Sequence, residues 1–343
     1  MHVARNAKRK PKPRFYKIVL AVAAQFEPAV ASAFIAAVDG LMDSIDETML
    51  SSAIAGADLS SIEAVVGTSR LGMLLAADPR LEGALYKTVA AVGQQGADVL
   101  TEVAGFPALF NATHPNVTLF ARTQAANLVV QVSEEVKEAI RIVTALGSDL
   151  GLTTAQQAKA IRQVVGLPPN WANAPVNFAN ELRQGIVNAG RLHNDPMVPL
   201  RRSRRAMQRR VVAELRAGVA EGKHLDPAWI AQQQEKYARN LLHRRARNIA
   251  RTETLRAANW GQREGWKQAI GQGVLPADSK RFWLVTPDDR LSPEHAQIPG
   301  MNPEGRGMDE AFQTPDGPFV DPPTRTNCRC STALMFPGLA GML

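Results

Sequence analysis

Near residue 271 the sequence changes texture, and that change limits what the chain can build. Before it, Ala is frequent and apolar residues recur at helical steps. After it, residues 272–327 are dense in Pro and Gly, with apolar patches at Phe282–Val285 and Phe319–Val320. Ala has the best helix propensity, whereas short apolar patches between Pro and Gly read as short strands and loops. The expected fold class is a mainly α-helical body with a small C-terminal α+β domain. The boundary falls between residues 245 and 275.

Within the body, Leu128, Val132, Val136, Ile140, Val143 and Leu146 recur every three or four residues, which places them on one helix face. Gly147 and Gly151 are expected to end that helix. Thr153 followed by Gln156 is a capping box that opens the next, and Pro168-Pro169 closes it. A third helix starts at Pro175 and runs to about Gly190. Val211, Val212, Leu215 and Val219 mark another, stopped by Gly222. Asp226 as N-cap with Pro227 at the first helical position opens one that continues to about Ala258. Residues 18–110 read as several short helices, with Gly40, Gly56, Gly67, Asp78-Pro79, Gly93 and Gly96 as breaks.

The expected organisation is a flexible basic arm (1–17), an N-terminal helical region (18–110), a helical body with basic helices (111–245), a small α+β domain (246–335) and an apolar tail (336–343). The arm carries Arg5, Lys8, Arg9, Lys10, Lys12, Arg14 and Lys17, and Pro11 and Pro13 deny it a helix. The apolar run Ile18–Ala24 behind it imitates a signal peptide. Gln25, Glu27 and Pro28 interrupt that run before it reaches membrane-spanning length.

The formal net charge of +8 favours polyanion partners. The charge is clustered: Arg201, Arg202, Arg204, Arg205, Arg209 and Arg210 crowd one segment, and Lys236, Arg239, Arg244, Arg245, Arg247 and Arg251 a second. Each arginine can make a bidentate bond to phosphate, so one face of such residues would hold double-stranded DNA without reading its sequence. The alternatives are contact with acidic protein surfaces and plain solvation. Residues 18–38 carry a further expectation of an amphipathic or membrane-seeking helix, against a packed core or subunit-contact helix.

Two cysteines, Cys328 and Cys330, stand one residue apart, too close for an ordinary disulfide. With His295 they offer thiolate and imidazole groups of the kind that bind zinc, with Asp288 and Asp289 near His295 in sequence. A fourth ligand cannot be named. The alternative is a turn in which the cysteines pack as small apolar groups. Glu253 is expected to pair with Arg256 or with a residue of the small domain, a structural rather than catalytic role for Arg251-Thr252-Glu253. Gly-x-Ser-x-Gly, phosphate-binding loops and His-Glu-x-x-His are absent. The chain is therefore read as carrying no intact catalytic signature and no required cofactor.

The order Ala250-Arg251-Thr252-Glu253, Ala257-Ala258-Asn259, Trp283, Asp288-Asp289-Arg290, His295, Pro322-Pro323 and Asn327-Cys328-Arg329-Cys330 resembles the phage Mu F-like, or head morphogenesis, minor capsid family over about residues 245–332. The resemblance implies a low-copy head protein of a tailed phage. It would sit inside the capsid in several copies around the portal, touch other head proteins and packaged DNA, and act in head assembly or DNA ejection. Such a protein would occupy the host cytoplasm during assembly. The resemblance also implies a C-terminal scaffold like that of ADP-ribosyltransferase toxins, and with it an alternative: a metal-dependent or ADP-ribosyltransferase-like enzyme. The Ser-Thr-Ser and Glu-x-Glu elements of that activity are missing from residues 245–343.

Overall fold

Capping and proline chemistry set where the helices begin. The structure, a computed structural model, describes residues 14–105, 107–186, 212–221, 224–286 and 291–335. Its helices are α1 (Arg14–Asp43), α2 (Glu47–Ala55), α3 (Leu59–Val66), α4 (Thr68–Ala77), α5 (Pro79–Ala104), α6 (Pro115–Asp149), α7 (Thr154–Val164), α8 (Pro169–Ala172), α9 (Ala174–Arg183), α10 (212–220), α11 (Pro227–Gly271) and α12 (Pro293–Met301). Four short strands follow α11: β1 (Lys280–Leu284), β2 (Phe312–Thr314), β3 (Gly317–Phe319) and β4 (Ser331–Met335). The mainly helical class with a small strand-bearing C-terminal region is thus observed.

Start signals read from the sequence are met. Thr153 accepts from the Gln156 N–H at 3.3 Å, and the Gln156 side chain accepts from the Thr153 N–H at 2.9 Å. Asp226 accepts from the N–H groups of Ala228 and Trp229, both at 3.2 Å, and Pro227 opens α11. The apolar stripe of α6 is buried from Leu128 to Val143.

Helix extents differ from expectation. α1 begins at Arg14, so Arg14 and Lys17 belong to a helix and not to a flexible arm; residues 1–13 lie outside the described set. The reason is that Phe15, Tyr16 and Val19 are buried apolar anchors on its first turns. α1 also runs through Pro28. Proline in a helix interior costs about 3 kcal/mol, but burial of Val19, Val22 and Val30 on either side offsets this at roughly 1.5–3 kcal/mol each. Gly93 and Gly96 lie inside α5 rather than between helices. A Cβ on Gly93 would come within 2.4 Å of the Phe110 ring, so this glycine marks close packing. α11 continues past Ala258 to Gly271, whereas α9 stops at Arg183.

The chain forms two compact units, each drawn from separated stretches where the sequence reading cut the chain linearly. One holds the described residues within 1–30, 82–123 and 248–343; the other holds those within 31–81 and 124–247. In the first, Phe15 packs edge-on against Trp266 at 5.3 Å over a core that includes Leu100, Val274, Leu275 and Leu334. A second cluster joins Val19, Val22 and Val92 to Leu255 and Ala258. A Cβ on Gly261 would lie 2.9 Å from the Val89 backbone, so α11 and α5 need glycine where they meet. In the other unit, Phe178, Leu182, Val212 and Ile230 form a core.

β1 pairs antiparallel with β4, Trp283 opposite Thr332, and β2 pairs with β3 as a hairpin. Among the described residues these are two separate two-stranded sheets. They do not support the ADP-ribosyltransferase-like scaffold that the resemblance implied.

Candidate functional site

His295 is placed by the start of α12. Ser292 caps that helix, its hydroxyl accepting from the His295 N–H at 3.3 Å, and Pro293 pre-sets the first turn. The imidazole is buried, and its Nε2 lies 3.2 Å from Asp316 Oδ2 and 3.0 Å from Thr324 Oγ1. Thr324 in turn donates to Asp316 at 2.7 Å. The Thr324 hydroxyl above all, with His295 and Arg325, holds the Asp316 carboxyl below the usual range. A carboxylate facing Nε2 favours the proton on that nitrogen and leaves Nδ1 as a free lone pair. Nδ1 faces Cys330 Sγ at 3.7 Å.

The cysteines approach from the chain just before β4. Asn327 is left-handed, at φ 63°, a conformation that Asn tolerates better than most residues. Cys328 and Cys330 follow, both buried and both free thiols. A hydrogen bond from Cys330 pushes the Cys328 thiol down to about 6, while Cys330 is pushed up by that same bond and by burial. Cys328 is therefore the acidic member of the pair. His295, Cys328 and Cys330 present one donor atom each, all within 4.8 Å of one another. All three line a cavity of about 260 Å³, with Thr286, Glu294 and Arg325 among its other walls.

α11 fixes this stretch of backbone. Thr252 accepts from the Asn327 N–H at 3.4 Å, Asn259 donates to the Cys330 carbonyl at 3.4 Å, and Gln262 donates to the Thr332 carbonyl at 2.8 Å. Thr252 and Asn259 stand in motifs some 70 residues before Asn327-Cys328-Arg329-Cys330, yet they hold that segment directly. Trp283, on β1, packs edge-on against Phe312 at 5.2 Å in a cluster with Ile298, Cys328 and Cys330. Glu253 pairs with Arg256 at 2.5 Å. Arg251 is half-buried and opposes the rise that burial gives the Glu27 carboxyl. Asp288 lies outside the described residues.

Arg281 was missed by sequence reasoning. Its guanidinium is fully buried and donates to the carbonyls of Gly307, Val320 and Glu310 at 2.6–3.1 Å and to Asp321 at 3.0 Å. It also lies 5.0 Å from the Phe312 ring centroid. Burial lowers its pKa to about 10. Its context, Lys280-Arg281 ahead of Phe282, does not mark which of the two cations is buried.

The basic residues separate into groups. Arg245 is buried, paired with Glu135, and donates to the Gly166 carbonyl at 2.9 Å. Arg239 pairs with Asp39, one of its bonds at 2.9 Å. Arg245 is thus committed inside the fold to a carboxylate of α6, whereas the Arg239 side chain, paired with a carboxylate of α1, stays 41% exposed. Arg244 is exposed and lies over Trp171 at 5.3 Å; Lys236 is exposed and Arg247 half-buried. Arg14 pairs with Glu102 at 2.6 Å, and Lys17 is exposed. Arg201, Arg202, Arg204, Arg205, Arg209 and Arg210, with Arg5, Lys8, Arg9, Lys10 and Lys12, lie outside the described residues.

Comparison with curated proteins and with solved structures gives no match. Residues 209–333 match the family model described as Phage Mu protein F like protein, a span that begins upstream of the motif set read from the sequence. That span contains Thr252, Asn259, Trp283, His295 and Asn327 to Cys330. Over this stretch the chain is similar to the phage Mu protein F-like family.

Proposed function

We propose that this chain is a minor head protein of a tailed phage, acting in head morphogenesis and in contact with other head proteins. The family match over residues 209–333 carries this reading. Within it, the protein sits inside the capsid at the portal in several copies, after assembly in the host cytoplasm, and touches packaged double-stranded DNA. The six arginines of residues 201–210 and the basic residues of 1–17 supply the charge for that contact, and exposed Lys236 and Arg244 add to it. Membrane contact during ejection would draw on α1, which by length and composition is apolar enough to cross a membrane.

The deciding experiment is co-expression with the portal protein of the same genome, followed by sedimentation. Co-migration with the portal ring is expected; separate migration would remove the portal reading. Replacing the six arginines with Gln is expected to flatten the salt dependence of DNA retention, and an unchanged slope would remove the DNA reading. The competing enzyme reading is tested by nuclease and NAD-hydrolysis assays, where turnover by the purified chain would displace the head-protein reading.

A further inference from the structure

Three soft or borderline donors from two separate parts of the chain converge on one point. His295 comes from the first turn of α12, and Cys328 and Cys330 from the segment before β4. A tetrahedral zinc ion with bonds of about 2.3 Å to sulfur and 2.0–2.1 Å to nitrogen requires about 3.6 Å between a sulfur and a nitrogen ligand. The Cys330 Sγ to His295 Nδ1 distance is 3.7 Å. Cys328 Sγ lies within 4.8 Å of both, so a small side-chain rotation brings it to the about 3.8 Å that two zinc-bound sulfurs need.

The surroundings match those of a metal ligand set. Metal-bound imidazoles nearly always donate their other ring N–H to a carboxylate or carbonyl. Asp316, itself positioned by Thr324, takes that role at His295 Nε2 and leaves Nδ1 pointing at the sulfurs. Trp283, whose buried indole nitrogen has no hydrogen-bond partner among the described residues, packs with Ile298 and Phe312 against the two cysteines. Backbone held by Thr252, Asn259 and Gln262 keeps the two cysteines in register.

We propose that His295 Nδ1, Cys328 Sγ and Cys330 Sγ bind one zinc ion, with Asp316 orienting His295 and the fourth position open to the adjoining cavity. Thiolate and imidazole donors select zinc over hard cations such as magnesium and calcium. Binding releases the thiol protons to solvent and ties α12 to the approach of β4. The inference is independent of the head-protein reading, since it concerns only the chemistry of this cluster.

The test uses the reduced full-length chain, titrated with zinc and, as a spectroscopic probe, with cobalt(II). One ion per chain is expected, with visible cobalt bands of tetrahedral geometry and a thiolate-to-cobalt charge-transfer band. Zinc is expected to protect both thiols of the unsubstituted protein from alkylation, a readout free of folding effects. Cys328→Ser and Cys330→Ser are expected to abolish the charge-transfer band or weaken it with loss of affinity. Asp316→Asn should keep the stoichiometry while weakening zinc roughly 10–100-fold. No zinc uptake and no cobalt bands from the reduced protein would overturn the proposal. So would a single thiol that alkylates equally fast with and without zinc, the signature of an isolated reactive cysteine beside a histidine.

Discussion

Residues 124–186 and residues 280–335 bury different kinds of side chain. In the first, Leu128, Val132, Val136, Ile140, Val143, Ile161 and Val164 are buried, and Gln157 is the buried polar residue among those described. In the second, Arg281, His295, Asn302, Thr314, Ser331 and Thr332 are buried alongside Trp283 and Phe312. The difference follows from backbone satisfaction. A helix bonds its own peptide groups, so its side chains need supply only apolar area. Strands of three to five residues joined by Pro/Gly loops leave carbonyls and N–H groups over, and particular side chains must reach them. Asn302 makes three such bonds, its amide donating to the Ile298 and Gln313 carbonyls and its oxygen accepting from the Gln313 N–H, and that oxygen also accepts from the Arg306 side chain.

The contrast fails if the polar pins turn out replaceable by apolar groups of similar size. Arg281→Met tests this at its strongest. It leaves three carbonyls and Asp321 without their buried cation, and is expected to cost about 3–5 kcal/mol in urea unfolding. Asn302→Leu keeps volume but strands the Gln313 peptide groups, with an expected cost of about 1–3 kcal/mol in the same assay. Leu128→Met in α6 is a swap of comparable size and should cost less than about 1.5 kcal/mol. If Leu128→Met proves as damaging as Arg281→Met, the two regions do not differ as argued.

The smallest effect comes from an exposed cap. Hydrogen bonds from the Ser61 and Ser60 side chains, with their backbone N–H groups, hold the Asp58 carboxyl down at about 2. A depressed carboxyl stabilises the fold above its unfolded value near 3.9 and loses that contribution as pH falls. The cap of α3 is therefore expected to weaken between about pH 4 and pH 2. An NMR titration in which Asp58 protonates in the ordinary carboxylate range would refute it.

Sequence patterns disclosed helix starts better than helix ends. Capping is local, so Thr153-Gln156 and Asp226-Pro227 could be read directly. Ends depend on what the helix meets. Gly93 looks like a break on paper, but it is a point where the Phe110 ring comes too close for a Cβ, as the Val89 backbone does at Gly261. The His295, Cys328 and Cys330 set was legible because few residue types share that chemistry. Asp316, Thr324, Gln262 and Arg281 were not, because their partners are backbone groups or side chains brought near only by tertiary structure. The ion pairs of Arg239 and Arg245 were illegible for the same reason: their carboxylate partners are 200 and 110 residues away.

The three bonds from α11 to Asn327, Cys330 and Thr332 constrain how such a chain can change in length. They grip a run of six residues at fixed intervals, so one residue gained or lost inside 327–332 would move Arg329 into a cysteine's place and detach at least one grip point. The approach to the run is tethered as well, since Val320 and Asp321 receive the Arg281 guanidinium and Thr324 binds Asp316. Insertions and deletions in related chains should therefore fall outside residues 320–332.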